Sequence, residues 1–138
     1  MATWRMLPDF SIDLPDRPGE LARLAARFRE ADVNLIGLWG YGSGAEAADG
    51  RARFYCVPES AEQFRAFIES TELVVAEGTT FFMEGEDHGG ALVERLDRIA
   101  LAGINLRAIE AMRAGDRFGC FIWVAPADWR RLAEVLDG

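Results

Sequence analysis

Apolar and polar residues alternate along 10–14, Phe-Ser-Ile-Asp-Leu, with the two-residue period of a half-buried β-strand. Residues 15–19, rich in proline and glycine, break this pattern. Apolar side chains then recur at Leu21, Leu24 and Phe28, which predicts an amphipathic helix. The same reasoning predicts strands at 35–39 and 53–57, a helix at 61–69 and a strand at 73–76.

The second half of the chain repeats the first at an offset of 71 residues, so that Gly19 meets Gly90 and Asn34 meets Asn105. After the next loop the offset falls to 68, and Pro58 aligns with Pro126. The repeat predicts a strand at 80–83, a helix at 90–102, a hairpin of strands 104–112 and 118–124, and a helix at 128–136. We therefore expect two modules, 1–77 and 78–138.

The order strand–helix–strand–strand–helix–strand is that of the α+β, ferredoxin-like βαββαβ arrangement, with two helices on one face of an antiparallel sheet. The second copy ends without a clear last strand. The segment at 3–6 could supply that strand, a partner chain could supply it, or the edge could stay open. Because small modules bury little surface and open edges pair with other chains, we expect a homodimer or a higher homo-oligomer.

The turn at 16–19 carries the first candidate for binding chemistry. Asp16 is a plausible helix N-cap, and Pro18 fits the first helical turn. Gly19 lets the backbone approach a ligand, and a helix N-terminus favours a carboxylate. Asn34 opens the next strand, so it should lie near this turn, where its amide could bind an ammonium or a carboxylate group. Asp16 could receive the ammonium.

The second copy places Asp87, His88, Gly90 and Asn105 at the matching positions. A second interpretation stays open for each copy, because a duplicated fold also duplicates its structural residues. The aspartates would then be helix caps, and the asparagines would be turn residues with left-handed backbone.

The motif Asp16-Arg17-Pro18-Gly19-Glu20-Leu21, followed after a helix by Val33-Asn34-Leu35, resembles the ACT domain. The resemblance covers nearly the whole chain, twice; the second copy has Asp87-His88-Gly89-Gly90, without the proline, and Ala102-Gly103-Ile104-Asn105-Leu106. It implies a regulatory module of amino-acid metabolism that binds an amino acid where the first loop of one module faces another module. The candidate ligand residues are Asp16, Arg17, Pro18, Gly19, Asn34, Leu35, Asp87, His88, Gly89, Gly90, Asn105 and Leu106.

Charge and composition narrow the classes of partner and the cellular compartment that we expect for this protein. The net charge of −8 repels phosphate backbones, so we expect no nucleic-acid partner. No apolar run approaches about 20 residues and the N-terminus lacks the layout of a signal peptide, so we expect no membrane partner and a cytoplasmic protein. Cys56 and Cys120 are expected to be buried, reduced thiols.

Catalysis has little support in the sequence. His88 is the single histidine, and no nucleophile motif, phosphate loop or Cys/His metal spacing is present. We therefore expect no catalytic residue, metal or cofactor, and a protein that is not an enzyme. The alternative to a ligand-binding module is a structural module that mediates oligomerisation or protein contacts and binds no metabolite.

Overall fold

The computed structural model describes residues 3–42, 50–73, 75–86 and 90–138. The strands in this part of the chain form an antiparallel sheet with the order β2-β3-β1-β4-β6-β5. The prediction of an α+β protein is confirmed. The elements are β1 (Thr3–Pro15), α1 (Glu20–Glu30), β2 (Leu35–Tyr41), β3 (Arg51–Pro58), α2 (Ala61–Glu69), β4 (Val75–Glu86), α3 (Ala91–Leu101), β5 (Leu106–Ala114), β6 (Arg117–Val124) and α4 (Trp129–Asp137), which a short 3-10 turn (Pro126–Asp128) precedes.

β4 is one continuous strand of 12 residues, whereas the sequence predicted two strands, at 73–76 and 80–83. The predicted interruption is wrong because Gly78 stays in the ladder. A Cβ atom at Gly78 would lie 2.7 Å from Oδ1 of the buried Asp9, so glycine is the residue that this close approach allows.

The chain divides into two compact units. The first unit, Pro8–Gly78, holds β1 from Pro8 onward, α1, β2, β3, α2 and the start of β4. Its core lies between the two helices and the strands, because α1 and α2 each present a stripe of buried side chains to the sheet. The buried members of this core are Phe10, Ile12, Leu14, Leu24, Phe28, Val33, Cys56, Phe64 and Phe67.

The second unit combines Thr79–Gly138 with the N-terminal segment Met1–Leu7. Trp4 of β1 stacks on Phe81 of β4, with ring centroids 5.7 Å apart, and its indole Nε1–H donates to Asp137 Oδ1 at 2.7 Å. Among the three alternatives for the missing strand, the N-terminal segment is thus the one observed beside β4. The buried core of the unit is Phe81, Met83, Ala91, Ile99, Ile104, Phe118, Cys120, Ile122, Val124, Leu132 and Leu136.

Strand pairing repeats between the units. Phe10 pairs with Cys56 in the first unit and Phe81 pairs with Ile122 in the second, so the offset is 71 on one strand and 66 on the other. Phe64 and Leu132, both fully buried, keep the predicted offset of 68 in α2 and α4. The offset between β3 and β6 is two residues smaller than this, because the connection before α4 is two residues longer than the connection before α2.

Candidate functional site

Glycine opens the first helix of each unit in the same way. Gly19 is the N-cap of α1 with φ 89°, and Gly90 is the N-cap of α3 with φ 87°. The Gly19 carbonyl accepts from the Arg23 N–H at 2.9 Å, and the Gly90 carbonyl accepts from the Glu94 N–H at 2.9 Å. Among the residues that the structure describes, no side chain caps either helix. In α1 the Glu20 N–H donates to the Arg17 carbonyl at 3.4 Å, and no described side chain stands in front of the remaining N–H groups of the first turn in either helix.

Asp16 does not cap α1, and the prediction that it does is wrong because Gly19 separates it from the first helical residue, Glu20. Pro18 likewise precedes the helix. The Asp16 N–H donates to the Gly50 carbonyl at 2.9 Å. A Cβ atom at Gly42 would lie 3.3 Å from Asp16 Oδ1, so the carboxylate lies beside the end of β2.

Arg17 binds within its own turn. Its Nε–H donates to Glu20 Oε1 at 2.7 Å, and Arg23 Nη1 donates to the same oxygen at 3.1 Å. The hydrogen bond from Arg17, together with the charge of Arg23, lowers the pKa of the Glu20 carboxyl. Glu20 is not among the candidate ligand residues that the sequence predicts. The three-residue spacing of Arg17, Glu20 and Arg23, which brings oppositely charged side chains together around the start of a helix, could have identified it.

A cleft of about 170 Å³ lies next to this turn, between α1, the ends of β1 and β3, and the connection after α2. Leu14 and Leu24, which are buried, form part of its apolar floor. Charged side chains of both signs surround it. They are Asp13, Glu20, Arg23, Arg27, Arg51 and Glu72.

Asn34 lies at the opposite end of its unit from the turn. Pro15 pairs with Arg51, but Leu35, next to Asn34, pairs with Pro58. Those pairs are seven positions apart along β3, or about 23 Å at 3.3 Å per residue. The expectation that Asn34 lies near the turn is wrong, because α1 returns the chain to the starting end of β1. Asn34 is exposed.

One interpretation made Asn34 and Asn105 the left-handed turn residues after α1 and α3. The structure places the left-handed backbone at other residues. The residue with left-handed backbone after α1 is Asp32, with φ 55°, and the one after α3 is Gly103, with φ 72°. These positions match at the 71-residue offset. Asn34 and Asn105 follow them and do not supply the left-handed turn. The Asn34 carbonyl accepts from the Glu59 N–H at 2.9 Å.

The structure describes only part of the segment that leads into α3. Asp87, His88 and Gly89 lie outside the described residues. Asn105 is exposed, and Leu106, which is half-buried, pairs with Val124 of β6. Glu86, at the end of β4, pairs with Arg117, seven residues from Val124. The asparagine and the glycine cap are therefore as far apart in the second unit as in the first.

Within 3–42, 50–73, 75–86 and 90–138, the structure groups no three His, Cys, Asp or Glu side chains so that they could hold a metal ion. No helix in these ranges has the length and apolarity needed to span a membrane. Cys56 and Cys120 are buried free thiols, and burial raises their pKa to about 12 and about 11.

Solved structures show the relationship of this fold to known proteins. Protein BT0572 from Bacteroides thetaiotaomicron matches with a TM-score of 0.80 and 17% identity, over 97% of this chain and 88% of that chain. The regulatory subunit of aspartate kinase from Thermus flavus matches with a TM-score of 0.60 and 14% identity, over 98% of this chain and 96% of that chain. The ligand-free regulatory subunit from Thermus thermophilus matches with a TM-score of 0.62 and 12% identity, over 99% and 94%.

These likenesses show that the chain has an ACT-like fold. No protein-family model matches the sequence, and no curated protein matches it.

Proposed function

We propose that the protein is a non-catalytic regulatory module of the ACT type, with two modules in tandem, that binds an amino acid at the openings of α1 and α3. Ligand binding would shift the packing of the modules or the state of a partner, by no more than the difference in ligand affinity between the two states. The protein would work in the cytoplasm, without a cofactor, as a homodimer or a higher homo-oligomer.

The observation that carries this proposal is the matched geometry of Gly19 and Gly90. A glycine with positive φ removes the Cβ atom from the approach to the helix, and no described side chain caps the N–H groups of the first turn. The positive end of the helix dipole favours a carboxylate by about 0.3–1 kcal/mol, and by up to about 2 kcal/mol when partly buried. An amino acid brings such a carboxylate.

The fold supports the same conclusion. Two of the similar structures are regulatory subunits of aspartate kinase, and this chain spans nearly the whole of each. An ACT-like chain of this extent fits a regulatory role better than a catalytic one.

In this proposal, Asn34 contacts the ligand only across an interface with another module or another chain. Within one unit it lies about 23 Å along the strands from the glycine cap, too far to share a small ligand with it. A second module or a second copy of the chain would have to bring an asparagine to the opening. The same holds for Asn105.

A melting experiment with each of the twenty amino acids tests the proposal. A ligand at 100 times its dissociation constant stabilises a protein by about 2.7 kcal/mol, which is several degrees for a chain of this size. We expect one amino acid or a small group of related ones to raise the melting temperature in a saturable manner. The double variant Asn34→Ala, Asn105→Ala should lose that stabilisation and keep its oligomeric state. Melting curves that no amino acid changes would contradict the proposal.

A structural module is the alternative, and β5 is the observation that favours it. This strand ends the sheet and is exposed along most of its length, with Met112 75% exposed. Exposed edge strands pair with other chains. In this alternative Arg113→Pro, which prevents strand pairing at the edge, would abolish self-association or partner binding, and amino acids would have no effect.

A further inference from the structure

The strands of the second unit present alternate residues to the two faces of the sheet. Phe81, Cys120 and Ile122 lie in the core, together with buried residues of α3 and α4. Their chain neighbours Phe82 and Phe121 therefore lie on the face away from both helices. We call this face the outer face of the second unit.

Three aromatic rings lie side by side on the outer face. Phe82 and Phe121 stack with ring centroids 4.7 Å apart, and the Trp123 ring lies 6.2 Å from that of Phe121. Phe121 and Trp123 are half-buried. Met112, which pairs with Gly119 and so shares this face, is 75% exposed. Aromatic and methionine side chains on an exposed face are typical of a protein–protein interface.

Opposite charges lie at the two ends of this aromatic patch. The Arg5 guanidinium lies over the Phe82 ring, 5.6 Å from its centroid. Phe82 pairs with Phe121, and Phe121 pairs with Glu110. These four residues form a row across β1, β4, β6 and β5. Three strand spacings, about 14 Å, separate Arg5 from Glu110, so the row has a positive end and a negative end.

The first unit has a different surface at the matching positions. Ser11 corresponds to Phe82 at the offset of 71, and Arg53 corresponds to Gly119 at the offset of 66. Arg53 Nε donates to Asp13 Oδ1 at 3.0 Å. The first unit thus carries a hydroxyl and an ion pair where the second unit carries an aromatic ring and a glycine.

The row is complementary to a second copy of itself. Sheets that pack face to face align their strands within about 30°. A two-fold axis that runs along the strands, between two such faces, turns the row end for end. It places Arg5 of one copy opposite Glu110 of the partner subunit, and the phenylalanine rings opposite each other. An axis across the strands would instead place like charges opposite each other, which is unfavourable.

The chemistry of both ends allows this contact. The guanidinium of Arg5 has five N–H donors, and its contact with the Phe82 ring uses its face and leaves these donors at its edge. A carboxylate has about four acceptor sites, so Glu110 can accept from a partner's guanidinium in addition to its interaction within the chain.

We infer that the outer face of the second unit binds the same face of a second copy of the chain, in a two-fold symmetric dimer in which Arg5 pairs with Glu110 of the partner subunit. The inference goes beyond the proposed ligand binding and does not depend on it. It also differs from pairing at the β5 edge, because side chains of the face make the contact. The patch is small, so we expect a dimer that dissociates at about micromolar concentration.

Charge reversal at the two ends of the row tests the inference, with sedimentation velocity of the full chain over a series of concentrations. Arg5→Glu places carboxylates opposite each other in the dimer, and Glu110→Arg places guanidinium groups opposite each other. We expect each variant to raise the dissociation constant of the dimer by about tenfold or more. An equimolar mixture of the two variants restores both ion pairs and should dimerise as strongly as the wild type.

Matched variants separate this face from other surfaces. Phe121→Ser should weaken the dimer by about tenfold or more, whereas Tyr55→Ser, at the matching position of the first unit, should leave it unchanged. Arg113→Pro, at the β5 edge, should also leave it unchanged. Circular dichroism checks that each variant is folded.

Each of the following results would overturn the inference. The wild-type chain could stay monomeric at every concentration, or its self-association could be insensitive to both charge reversals. The dimer could be lost in Arg113→Pro and not in Phe121→Ser, which would assign the contact to the edge. The two charge variants could fail to associate when mixed, which would exclude the two-fold arrangement. None of these results bears on amino-acid binding, which the melting experiment tests separately.

Discussion

Gly19 and Gly90 lie 71 residues apart in the chain and share one backbone conformation, with φ 89° and 87°, as the N-caps of α1 and α3. A left-handed conformation costs a residue with a Cβ atom roughly 1–2 kcal/mol. We predict that Gly19→Ala and Gly90→Ala each lower the free energy of unfolding by about that amount. Urea denaturation measures the loss.

Gly119→Ala provides the control for these variants. Gly119 has no positive φ, and its Cβ atom would meet the Phe82 ring at 3.5 Å, an ordinary contact. A loss at Gly119 as large as at the two caps would show that the cost does not come from the left-handed backbone. Space around the Cβ atom is not the cause at Gly90, since no heavy atom of the described chain lies within 4 Å of it.

Trp4 ties the N-terminal segment to the second unit. Trp4→Ala removes the stack on Phe81 and the hydrogen bond to Asp137. We predict a loss of roughly 2–3 kcal/mol in the free energy of unfolding, near the lower end for such truncations because Trp4 is half-buried. Trp4→Phe keeps an aromatic ring and should lose about 0.5–1.5 kcal/mol for the hydrogen bond. The prediction fails if Trp4→Ala unfolds at the same urea concentration as the wild type.

Glu20 should make stability depend on pH in the acidic range. Its arginine partners lower the pKa of its carboxyl below the ordinary 4.5, so the folded state binds a proton less readily than the unfolded state. The stabilisation is complete above pH about 4.5 and is lost as the pH falls through the lowered pKa. The difference in unfolding free energy between wild type and Glu20→Gln should therefore shrink on acidification.

Glu134→Gln is the control for Glu20→Gln. Glu134 pairs with Arg130 at 3.4 Å, but the two side chains are 67% and 92% exposed. Exposed pairs of this kind contribute little. We expect Glu134→Gln to change stability by less than Glu20→Gln at neutral pH. A wild-type-like acid profile of Glu20→Gln would contradict the role of the arginine pair.

The two thiols should be inert in the folded protein. Burial raises the pKa of Cys56 from 9.0 to about 12 and that of Cys120 to about 11. At pH 8 a thiol with a pKa of 12 is ionised in about one molecule in ten thousand, so an aromatic disulfide reagent should label neither residue until urea unfolds the chain. Rapid labelling of the folded protein would show that a thiol is accessible.

The raised thiol pKa values also predict the alkaline behaviour. Because the folded state holds these protons more tightly than the unfolded state, the stabilisation is complete below pH about 9 and is lost as the pH rises towards 11 to 12. Cys56→Ala with Cys120→Ala should flatten the fall in stability above pH 9. An equally steep fall in the double variant would assign it to other groups.

Much of the fold follows from the hydrophobic pattern. The predicted helix at 61–69 has the bounds of α2, where Ser60 Oγ accepts from the Gln63 N–H at 3.2 Å as an N-cap. Periodicity predicted the apolar stripe, and the structure adds that Ser60 caps the helix at its start. The hairpin of β5 and β6 was predicted for similar reasons, since Gly115, with φ 62°, marks its turn.

The candidate site was harder to predict because it depends on which end of the sheet each segment reaches. The spacing from Gly19 to Asn34 identified a helix and a strand start, but not that the 11 residues of α1 carry Asn34 to the far end of the sheet. Gly78 of β4 lies close to the side chain of Asp9, an approach between residues far apart in sequence. Periodicity carries no information about either relationship.

The most direct test of the central claim follows the backbone amides at the opening of α1. Nuclear magnetic resonance spectra of the nitrogen-15-labelled protein, recorded during titrations with each of the twenty amino acids, report on the N–H groups of Gly19, Glu20 and Leu21 individually. We predict that at least one amino acid shifts these signals, together with those of Gly90 and Leu92 at the opening of α3, in a saturable manner. Signals at residues 19–21 that stay unchanged through a titration with every amino acid would contradict the account.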